Sequence, residues 1–273
     1  MSVIPAASSP ADPALVDLIG RFIAAGPDER PPLIAVVGAQ GSGKTTLARA
    51  AAQTFGGVQI SIDDVYLTRA ERDMMALDVH PLFRTRGPPG THDLGLLGGL
   101  IRRLTVAGPA DETAIPGFDK RGDDRLPEAD WRVFQGRPKA ILIDAWCLGA
   151  AAEEPATLAE PVNALERRCD PDGAWRAAVN AFVGGPYADF AALFDAVVFL
   201  RAPGFDVVLD WRSQQEADLL GLAPMALPVE ERARLAEFIQ YFERVTRRML
   251  AGGVRADVTV QLDRNRRPGS MGA

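Results

Sequence analysis

Gly38-Ala39-Gln40-Gly41-Ser42-Gly43-Lys44-Thr45 is the stretch that decides the fold of this chain. It matches the pattern GxxxxGK[ST], it follows the apolar run 33–37, and it leads into the helical pattern of 46–53. A strand before the glycines and a helix after them are the surroundings that a phosphate-binding loop requires. The stretch therefore predicts nucleotide binding, and a glycine-rich turn with a chance lysine is the alternative.

Each residue type in this loop has a chemical reason. Glycine has no Cβ, so the backbone N–H groups of the loop can come close to an anion, and the start of the next helix adds partial positive charge. Lys44 is placed to reach the β- and γ-phosphates, and the Thr45 hydroxyl is placed to bind the accompanying Mg²⁺. We expect ATP to be held by Gly38, Gln40, Gly41, Ser42, Gly43, Lys44, Thr45 and Thr46.

The composition is that of a globular protein without a large charged face. Of the 273 residues, 47% are hydrophobic and the net charge is −6, which argues against a general nucleic-acid binder. No apolar window approaches the about 18 residues of a membrane span, and 1–13 lacks the pattern of a signal peptide. Cys147 and Cys169 fit neither a disulfide framework nor a zinc site. We expect a cytoplasmic protein that acts on a small molecule; the sequence leaves the oligomeric state open and slightly favours a monomer.

Short apolar runs alternate with helical patterns along the chain. The runs lie at 33–37, 58–62, 140–144, 196–200 and 258–262. Parallel strands need crossovers, and crossovers are usually helices, so this order predicts an α/β protein of the P-loop NTPase fold. We expect a five-stranded parallel sheet with helices on both faces. A single domain over 1–273 is the simpler interpretation, with 1–12 flexible and 203–251 forming a helical, lid-like covering segment.

The segments between the runs differ in regularity. Helices are predicted at 13–25, 69–75, 94–104, 205–220 and 228–251. Thr91 resembles the N-cap of the helix that begins near Leu94. The polar stretch 111–137 contains several prolines and glycines, and we interpret it as a long irregular loop with a functional role.

Carboxylates follow two of the predicted strands. Ligands collect at the carboxyl ends of parallel strands, so Asp63, Asp64 and Asp144 should lie at the same edge as the phosphate-binding loop. A kinase needs a carboxylate to accept the proton of a hydroxyl, and Asp63 is the candidate, with an N-cap as its alternative role. Asp64 is better explained as that cap or as a supporting group. Asp144 is placed to hold Mg²⁺ directly or through water. No Asn-Lys-x-Asp element for guanine is present, which disfavours a GTPase.

Further motifs carry a family resemblance. They are SIDDVYLT at 61–68, RGPPGTHD at 86–93, FDK at 118–120, GDDR at 122–125 and WRSQQE at 211–216. Together with the phosphate-binding loop they resemble the D-glycerate 3-kinase family, in the phosphoribulokinase, uridine kinase and pantothenate kinase branch of P-loop kinases. The resemblance extends from about residue 33 to residue 262, and its GPPGTHD element is much more specific than the phosphate-binding loop.

The resemblance implies ATP-dependent phosphorylation of glycerate. Lys44, Asp63 and Arg212 would be the catalytic residues, with Asp63 in the position of the family's catalytic aspartate and Arg212 in the lid-like segment over the phosphates. An arginine fork with hydroxyl and imidazole donors suits the carboxylate of glycerate, and a mobile arginine offsets transition-state charge. The residues that would line the acceptor pocket are Arg86, Thr91, His92, Lys120 and Arg125.

Alternative interpretations remain open at this stage. Thr91 and His92 could instead cap the following helix, and Arg86 and Arg125 could be solvated surface charges. The acceptor could be another small alcohol of the pantothenate, uridine or sugar type. A non-catalytic ATP-binding protein of the same fold is a further possibility, although the joint presence of the lysine and the two aspartates argues against it.

Three features depart from the family pattern. Asp144-Ala145-Trp146 stands where the family pattern has Glu-Gly-Trp, which shortens the carboxylate by one methylene. Arg121 stands where a serine is expected, and the segment from Lys120 to Asp123 is shorter than in the family. These differences concern the acceptor more than the kinase reaction.

Overall fold

The computed structural model describes residues 10–223 and 226–272. The flexibility expected for residues 1–12 therefore lies largely outside the described residues. Within them, Asp12 is ordered as the N-cap of the first helix, where its Oδ1 accepts a hydrogen bond of 2.8 Å from the Ala14 backbone N–H.

The secondary structure alternates between strands and helices over most of the chain. The strands are β1 Leu33–Gly38, β2 Val58–Ser61, β3 Glu112–Ile115, β4 Phe118–Asp119, β5 Asp124–Arg125, β6 Arg132–Gln135, β7 Ile141–Ala145, β8 Ala196–Arg201, β9 Val258–Leu262 and β10 Pro268–Gly272. The α-helices are α1 Pro13–Ala24, α2 Lys44–Phe55, α3 Arg69–Asp78, α4 Leu94–Val106, α5 Ala164–Cys169, α6 Ala174–Phe182, α7 Ala188–Ala191, α8 Val208–Leu219, α9 Val229–Phe238 and α10 Gln240–Leu250.

The central sheet has, within the described residues, six strands in the order β10-β9-β8-β1-β7-β2. The pairs among β9, β8, β1, β7 and β2 are all parallel, and these are the five strands that the apolar runs predict. The prediction of an α/β fold of the P-loop type is confirmed. The sequence does not predict β10, which pairs antiparallel with β9 and extends the sheet at its edge.

Both faces of the sheet are covered, as predicted. Alternate residues of a strand point to opposite faces, so Ile34 and Val36 belong to one buried cluster and Ala35 and Val37 to the other. The first cluster contains side chains of α1 and α2, and the second contains side chains of α4, α6 and α10. A strand buried on both faces explains why 33–37 is uninterrupted in its apolar character.

The stretch 111–137 is not the irregular loop that its composition predicts. It forms two antiparallel pairs, β3 with β6 and β4 with β5, outside the central sheet. Thr113 and Ile115 are buried while their neighbours in β3 are exposed, which is the two-residue period of a strand. Each strand has only two to four residues, too few for the period to be recognised among the surrounding prolines and glycines.

Two helix predictions also need correction. The predicted helix 228–251 is divided into α9 and α10 at Ile239, where the backbone turns with φ −67° and ψ −16°. Thr91 is not the N-cap of α4, because Asp93 occupies that position and its Oδ1 accepts from the Leu96 N–H at 2.7 Å. Asp93 is as good a cap residue as Thr91, so composition alone could not choose between them.

The strand register brings the predicted functional segments to one edge of the sheet. Ser61 at the end of β2 pairs with Asp144 of β7, and Gly38 at the end of β1 pairs with Leu200 of β8. The carboxyl ends of these strands therefore meet where the phosphate-binding loop begins, as expected for a parallel sheet.

Two further findings concern the character of the chain. None of the helices in the described ranges has the length and apolar composition needed to cross a membrane. Cys147 is buried and Cys169 is half-buried, and both are free thiols, as their spacing predicts.

Candidate active site

The phosphate-binding loop joins β1 to α2 through glycines in left-handed conformations. Gly41 and Gly43 have φ of 75° and 89°, which a side chain would strain. A Cβ on Gly41 would lie 2.7 Å from Trp211 Cβ, whereas no atom of the described residues lies within 4 Å of that position on Gly43. The loop is thus packed against α8 at Gly41 and open at Gly43, beside the N-terminus of α2, where an anion is favoured.

Polar side chains of the loop lack partners within the described ranges. Gln40 Oε1 and Ser42 Oγ are buried and make no hydrogen bond there. Lys44 Nζ donates to Ala39 O over 3.3 Å. Desolvation lowers the pKa of Lys44, and the carboxylates at the same edge oppose this lowering. Thr46 is half-buried. A phosphate group would supply acceptors for the Ser42 hydroxyl and the Lys44 ammonium group.

Asp144 is the penultimate residue of β7, and its buried carboxylate is surrounded by donors. Its Oδ2 accepts from Thr45 Oγ1 at 2.9 Å and from Ser61 Oγ at 3.0 Å, and its Oδ1 accepts from Gln59 Nε2 at 2.6 Å. Burial raises the pKa of Asp144, and the charge of Lys44 opposes that rise. Hydroxyl and carboxylate oxygens are the ligands that Mg²⁺ prefers, so the pair Thr45 and Asp144 fits this ion.

Asp63 lies in the 3₁₀ turn Ile62–Val65 that follows β2. Ser61 is the N-cap of this turn, and Asp64 completes a capping box by accepting from the Ser61 N–H at 3.1 Å. Asp64 is therefore the supporting group that the sequence allowed, and neither Asp63 nor Asp64 is the N-cap of this turn. The Asp63 carboxylate instead accepts from Tyr66 Oη at 2.8 Å and from Lys120 Nζ at 2.9 Å.

The two adjacent aspartates differ in their electrostatics. Desolvation raises the pKa of Asp63, but the charges of Lys120 and Lys44 and the hydrogen bonds outweigh it and hold this pKa well below its ordinary value. Desolvation raises the pKa of Asp64 to about 6. Asp63 is therefore a stable anion at neutral pH, whereas Asp64 titrates only slightly below it.

The Arg86 side chain is held by several neighbouring groups rather than solvated. Its guanidinium lies 5.7 Å from the ring centroids of both Phe118 and Phe238. It forms an ion pair with Asp123, and its Nη2 donates to Lys120 O over 3.3 Å. Because the two rings and the carboxylate hold the guanidinium plane, the position of this cation is defined before any ligand binds.

Arg125 is also an ordered residue, with its side chain 15% exposed. Its Nε and Nη2 donate to Tyr66 O over 3.2 and 2.8 Å, and Nη2 lies 3.4 Å from Asp93 Oδ2. These bonds connect the hairpin β4–β5 to the turn after β2 and to the start of α4.

Thr91 is fully buried and holds the GPPG turn. Its hydroxyl donates to Pro88 O over 2.7 Å and accepts from the Gly87 N–H over 2.9 Å. The side chain therefore shapes the segment 86–93 through its own backbone.

His92 is buried between two tyrosines. Its ring stacks on Tyr66 with centroids 4.6 Å apart, and its Nδ1 lies 2.6 Å from Tyr187 Oη. Its Nε2 is buried and has no hydrogen-bond partner within the described ranges. Burial lowers the pKa of His92 to about 4, so the ring is neutral at physiological pH.

Arg212 lies on α8, directly after the tryptophan that contacts Gly41. Its Nη1 donates to Gln215 Oε1 over 2.5 Å and its Nη2 to Glu216 Oε2 over 3.3 Å, while its Nε is buried without a partner in the described ranges. Desolvation lowers the pKa of Arg212, and the charges of Glu216 and Asp63 oppose this. The side chain thus belongs to the same electrostatic environment as Asp63.

Several residues of the site have no role assigned from the sequence. Ser61 and Tyr66 lie in the motif SIDDVYLT and Asp123 lies in the motif GDDR. These motifs are the sequence features that could have indicated a role for them. The contact of Gln59 with Asp144 depends on the pairing of β2 with β7, which the sequence alone does not specify. Arg266 gives no signal in the sequence: its Nε donates to Gly41 O over 2.6 Å from the turn before β10, 225 residues away along the chain.

Comparisons with known proteins bear on the fold and the class of this chain. No family model matches the chain. The uncharacterized kinase mug58 of Schizosaccharomyces pombe is 30% identical over 249 residues, which cover 84% of this chain and 85% of that protein. D-glycerate 3-kinase from Cryptococcus neoformans var. grubii superposes with a TM-score of 0.72 at 20% identity, over 95% of this chain and 99% of that one. The YGR205w protein superposes with a TM-score of 0.67 at 22% identity, over 95% of each chain.

The fold and the phosphate-binding loop, together with these relatives, define the chain as a P-loop kinase, a phosphotransferase that acts on a small molecule. The chain belongs to the kinase family that includes mug58. A D-glycerate 3-kinase, the kind of protein that the sequence motifs resemble, shares this fold over nearly the whole chain.

Proposed function

We propose that residues 1–273 form one kinase domain that transfers the γ-phosphoryl group of ATP to a hydroxyl of D-glycerate. The observation that carries this proposal is the position of Asp63. It is an anion at the same sheet edge as the phosphate-binding loop, and it contacts Lys120. A carboxylate of this kind, between a phosphate-binding loop and a group of fixed cations, is what a kinase needs to orient an alcohol.

On the donor side, the triphosphate would occupy the open side of the loop near Gly43, with Lys44 on its β- and γ-oxygens. Thr45 and Asp144 would hold Mg²⁺, which when bound neutralises charge on the phosphate oxygens. Arg212 would offset the charge of the phosphoryl group during transfer, which accounts for a buried arginine Nε without a partner within the described ranges.

On the acceptor side, glycerate presents one carboxylate and two hydroxyl groups. Lys120 contacts Asp63, and Arg86 contacts the backbone carbonyl of Lys120; these two cations would bind the carboxylate. The Nε2 of His92 would add a neutral polar contact. Thr91 and Arg125 would act through the backbone they hold, because their hydrogen bonds are made to the walls of the pocket.

The low pKa of Asp63 determines what it contributes. Such a carboxylate is a weak base, so it would remove little of the proton early in the reaction. Phosphoryl transfer has a loose transition state in which positioning and charge stabilisation dominate. Asp63 would therefore orient the hydroxyl in the reactive direction and accept its proton late, as the new bond to phosphorus forms.

An acceptor panel tests the proposal. ADP release is measured with Mg²⁺ and ATP and one of D-glycerate, pantothenate, uridine, ribulose 5-phosphate or water. We expect release well above the water rate only with D-glycerate. Release with another alcohol would keep the kinase and replace the acceptor. An equal rate with every addition, including water, would reject alcohol phosphorylation.

A further inference from the structure

A second cleft lies at the outer edge of β2, away from the phosphate-binding loop. Its volume is about 340 Å³, within the range of about 300–1,000 Å³ usual for small-molecule sites. Helix α2, the start of β2 and strand β6 form its walls. The lining residues are Arg49, Ala52, Gln53, Gly57, Val58, Gln59, Arg132 and Phe134.

The cleft concentrates positive charge in a chain whose net charge is −6. Arg49 and Arg132 both line it, and none of the described residues in its lining is a carboxylate. Desolvation lowers the pKa of Arg132, with Asp64 opposing and the charge of Arg49 adding to this effect. Both arginines are exposed to solvent, and two guanidinium groups at one cleft favour the binding of an anion between them.

The donors of these arginines are largely available. Among the described residues, the Arg132 side chain makes one hydrogen bond, from Nη2 to Gln59 O. The Arg49 side chain has no hydrogen bond or ion pair within residues 10–223 and 226–272. A guanidinium carries five N–H donors in a fork that matches a phosphate or a carboxylate.

The other residues that line the cleft carry no charge and are apolar residues or glutamines. Ala52 and Val58 are 5% and 2% exposed and belong to the buried clusters on opposite faces of the sheet, so the half-buried Phe134 is the apolar side chain with more accessible surface at the cleft. An occupant that suits both halves of the cleft has an anionic group and an apolar body. We propose that this cleft binds a small organic anion, with its phosphate or carboxylate between Arg49 and Arg132 and its apolar part against Phe134.

The cleft is connected to the active site by one side chain. Gln59 lines the cleft, and its Nε2 donates to Asp144 Oδ1 over 2.6 Å. An occupant that moves Gln59 changes the hydrogen bonding of the carboxylate to which the proposed function assigns Mg²⁺. The proposal therefore includes regulation: occupancy of the cleft changes the Mg²⁺ requirement of the kinase, a part that rests on the proposed function.

Binding is tested by calorimetry on the full chain, with the phosphate-binding loop filled by Mg²⁺ and a non-hydrolysable ATP analogue. The probes are phenyl phosphate and benzoate, which separate phosphate from carboxylate recognition, and neutral benzyl alcohol. We expect at least one anion to bind and benzyl alcohol not to bind. Arg49→Gln should weaken the anion about tenfold, because one charge-assisted interaction is lost.

Arg103→Gln is the matched control, since Arg103 is an exposed arginine on α4 outside the cleft. It should leave the affinity unchanged. Arg49→Gln is preferred to a change at Arg132, whose bond to Gln59 O supports β6. If neither anion binds, or if Arg49→Gln binds it as tightly as the parent chain does, the site is rejected.

The regulatory part has a separate readout. With the binding anion at saturation, the Mg²⁺ concentration for half-maximal ADP formation should shift about fivefold in the parent chain. The shift should be smaller in Arg49→Gln at the same anion concentration, because the weaker site is less occupied. An unchanged Mg²⁺ requirement with the cleft filled would reject the regulation. If no acceptor supports ADP formation, the proposed function fails, whereas the calorimetric result on the cleft stands independently.

Discussion

Lys120 Nζ lies 2.9 Å from Asp63 Oδ2, so a lysine from the hairpin β4–β5 contacts the carboxylate that follows β2. The two residues are 57 positions apart in the chain. Desolvation would raise the pKa of Asp63, and the charge of Lys120 is the foremost of the effects that oppose it. The ionisation state of the proposed base therefore depends on a residue outside the central sheet.

Removing this lysine should change the pH profile. In the parent chain the pKa of Asp63 lies below its ordinary value, so activity should be lost only when the pH falls through that low value. In Lys120→Met desolvation is opposed less, the pKa of Asp63 rises, and the acid limb of kcat moves to higher pH. The measurement is kcat between pH 4 and 9.

Arg121→Met is the control for this experiment, because it removes a neighbouring exposed cation that makes only a backbone contact to Asp119. Its acid limb should stay with that of the parent chain. An acid limb of Lys120→Met that coincides with the parent would show that Lys120 does not govern the ionisation of Asp63.

Asp63→Asn should reduce turnover by about 10²–10⁴-fold, the range for the loss of a positioned base. Affinity for a non-hydrolysable ATP analogue should be retained, because Asp63 makes no bond to the phosphate-binding loop in the described structure. Asp64→Asn is the matched control, and its loss of turnover should be the smaller one. Near-normal turnover of Asp63→Asn would remove Asp63 from the proposed role.

The raised pKa of Asp64 predicts that the stability of the fold depends on pH. Its folded-state pKa of about 6 lies above the ordinary 3.8, so the folded state binds this proton more tightly than the unfolded state does. The resulting stabilisation is complete below pH about 4 and is lost as the pH rises through about 6. It amounts to at most about 3 kcal/mol.

Asp64→Asn should not show this loss, since the amide keeps an acceptor for the Ser61 N–H and does not titrate. The free energy of unfolding in urea, measured at pH 4, 5, 6 and 7, should therefore fall more steeply for the parent chain than for the variant. Parallel dependences on pH would contradict a raised pKa at Asp64.

Arg86→Ala should raise the KM for the acceptor by about 10–100-fold while kcat changes less, because a charged hydrogen-bond donor to the bound carboxylate is removed. Arg84→Ala is the control: Arg84 is 68% exposed and pairs with Asp73 on the surface. An acceptor KM that Arg86→Ala leaves unchanged would show that Arg86 only supports the hairpin through Asp123.

Asp144→Asn should raise the Mg²⁺ concentration required for activity by about 10–100-fold or more, since it removes a negative ligand oxygen. Ser61→Ala should give a smaller shift, because the serine contacts Asp144 without being assigned to the ion. A chelator should abolish activity, and added Mg²⁺ should restore it. Equal Mg²⁺ requirements of Asp144→Asn and the parent would contradict the assignment.

The sequence predicts the central sheet well because its signals are local. Each parallel strand is a short apolar run, and β1 is followed by a loop whose glycines and lysine have specific spacing. Strand β10 was missed, since Pro268–Gly272 has little apolar character and gains its structure by pairing with β9. The division between α9 and α10 was missed because apolar side chains continue across it.

In the candidate site too, local features could be predicted from the sequence and tertiary contacts could not. Asp63 and Asp144 could be placed together from strand ends alone, because parallel strands end at one edge. The groups that contact them could not be predicted from the sequence. The hydrogen bond from Tyr66 to Asp63 and the stacking of His92 on Tyr66 are tertiary contacts. The most distant contact, Arg266 with the phosphate-binding loop, requires the complete fold.

The central claim is that Asp63 and the cations around it serve an alcohol acceptor, and the most direct measurement is ADP formation with and without D-glycerate at saturating Mg²⁺ and ATP. The account predicts that ADP and a phosphorylated glycerate appear in equal amounts, and that ADP formation nearly ceases when glycerate is left out. An equal rate of ADP formation in both reactions, with no phosphorylated glycerate, would contradict it.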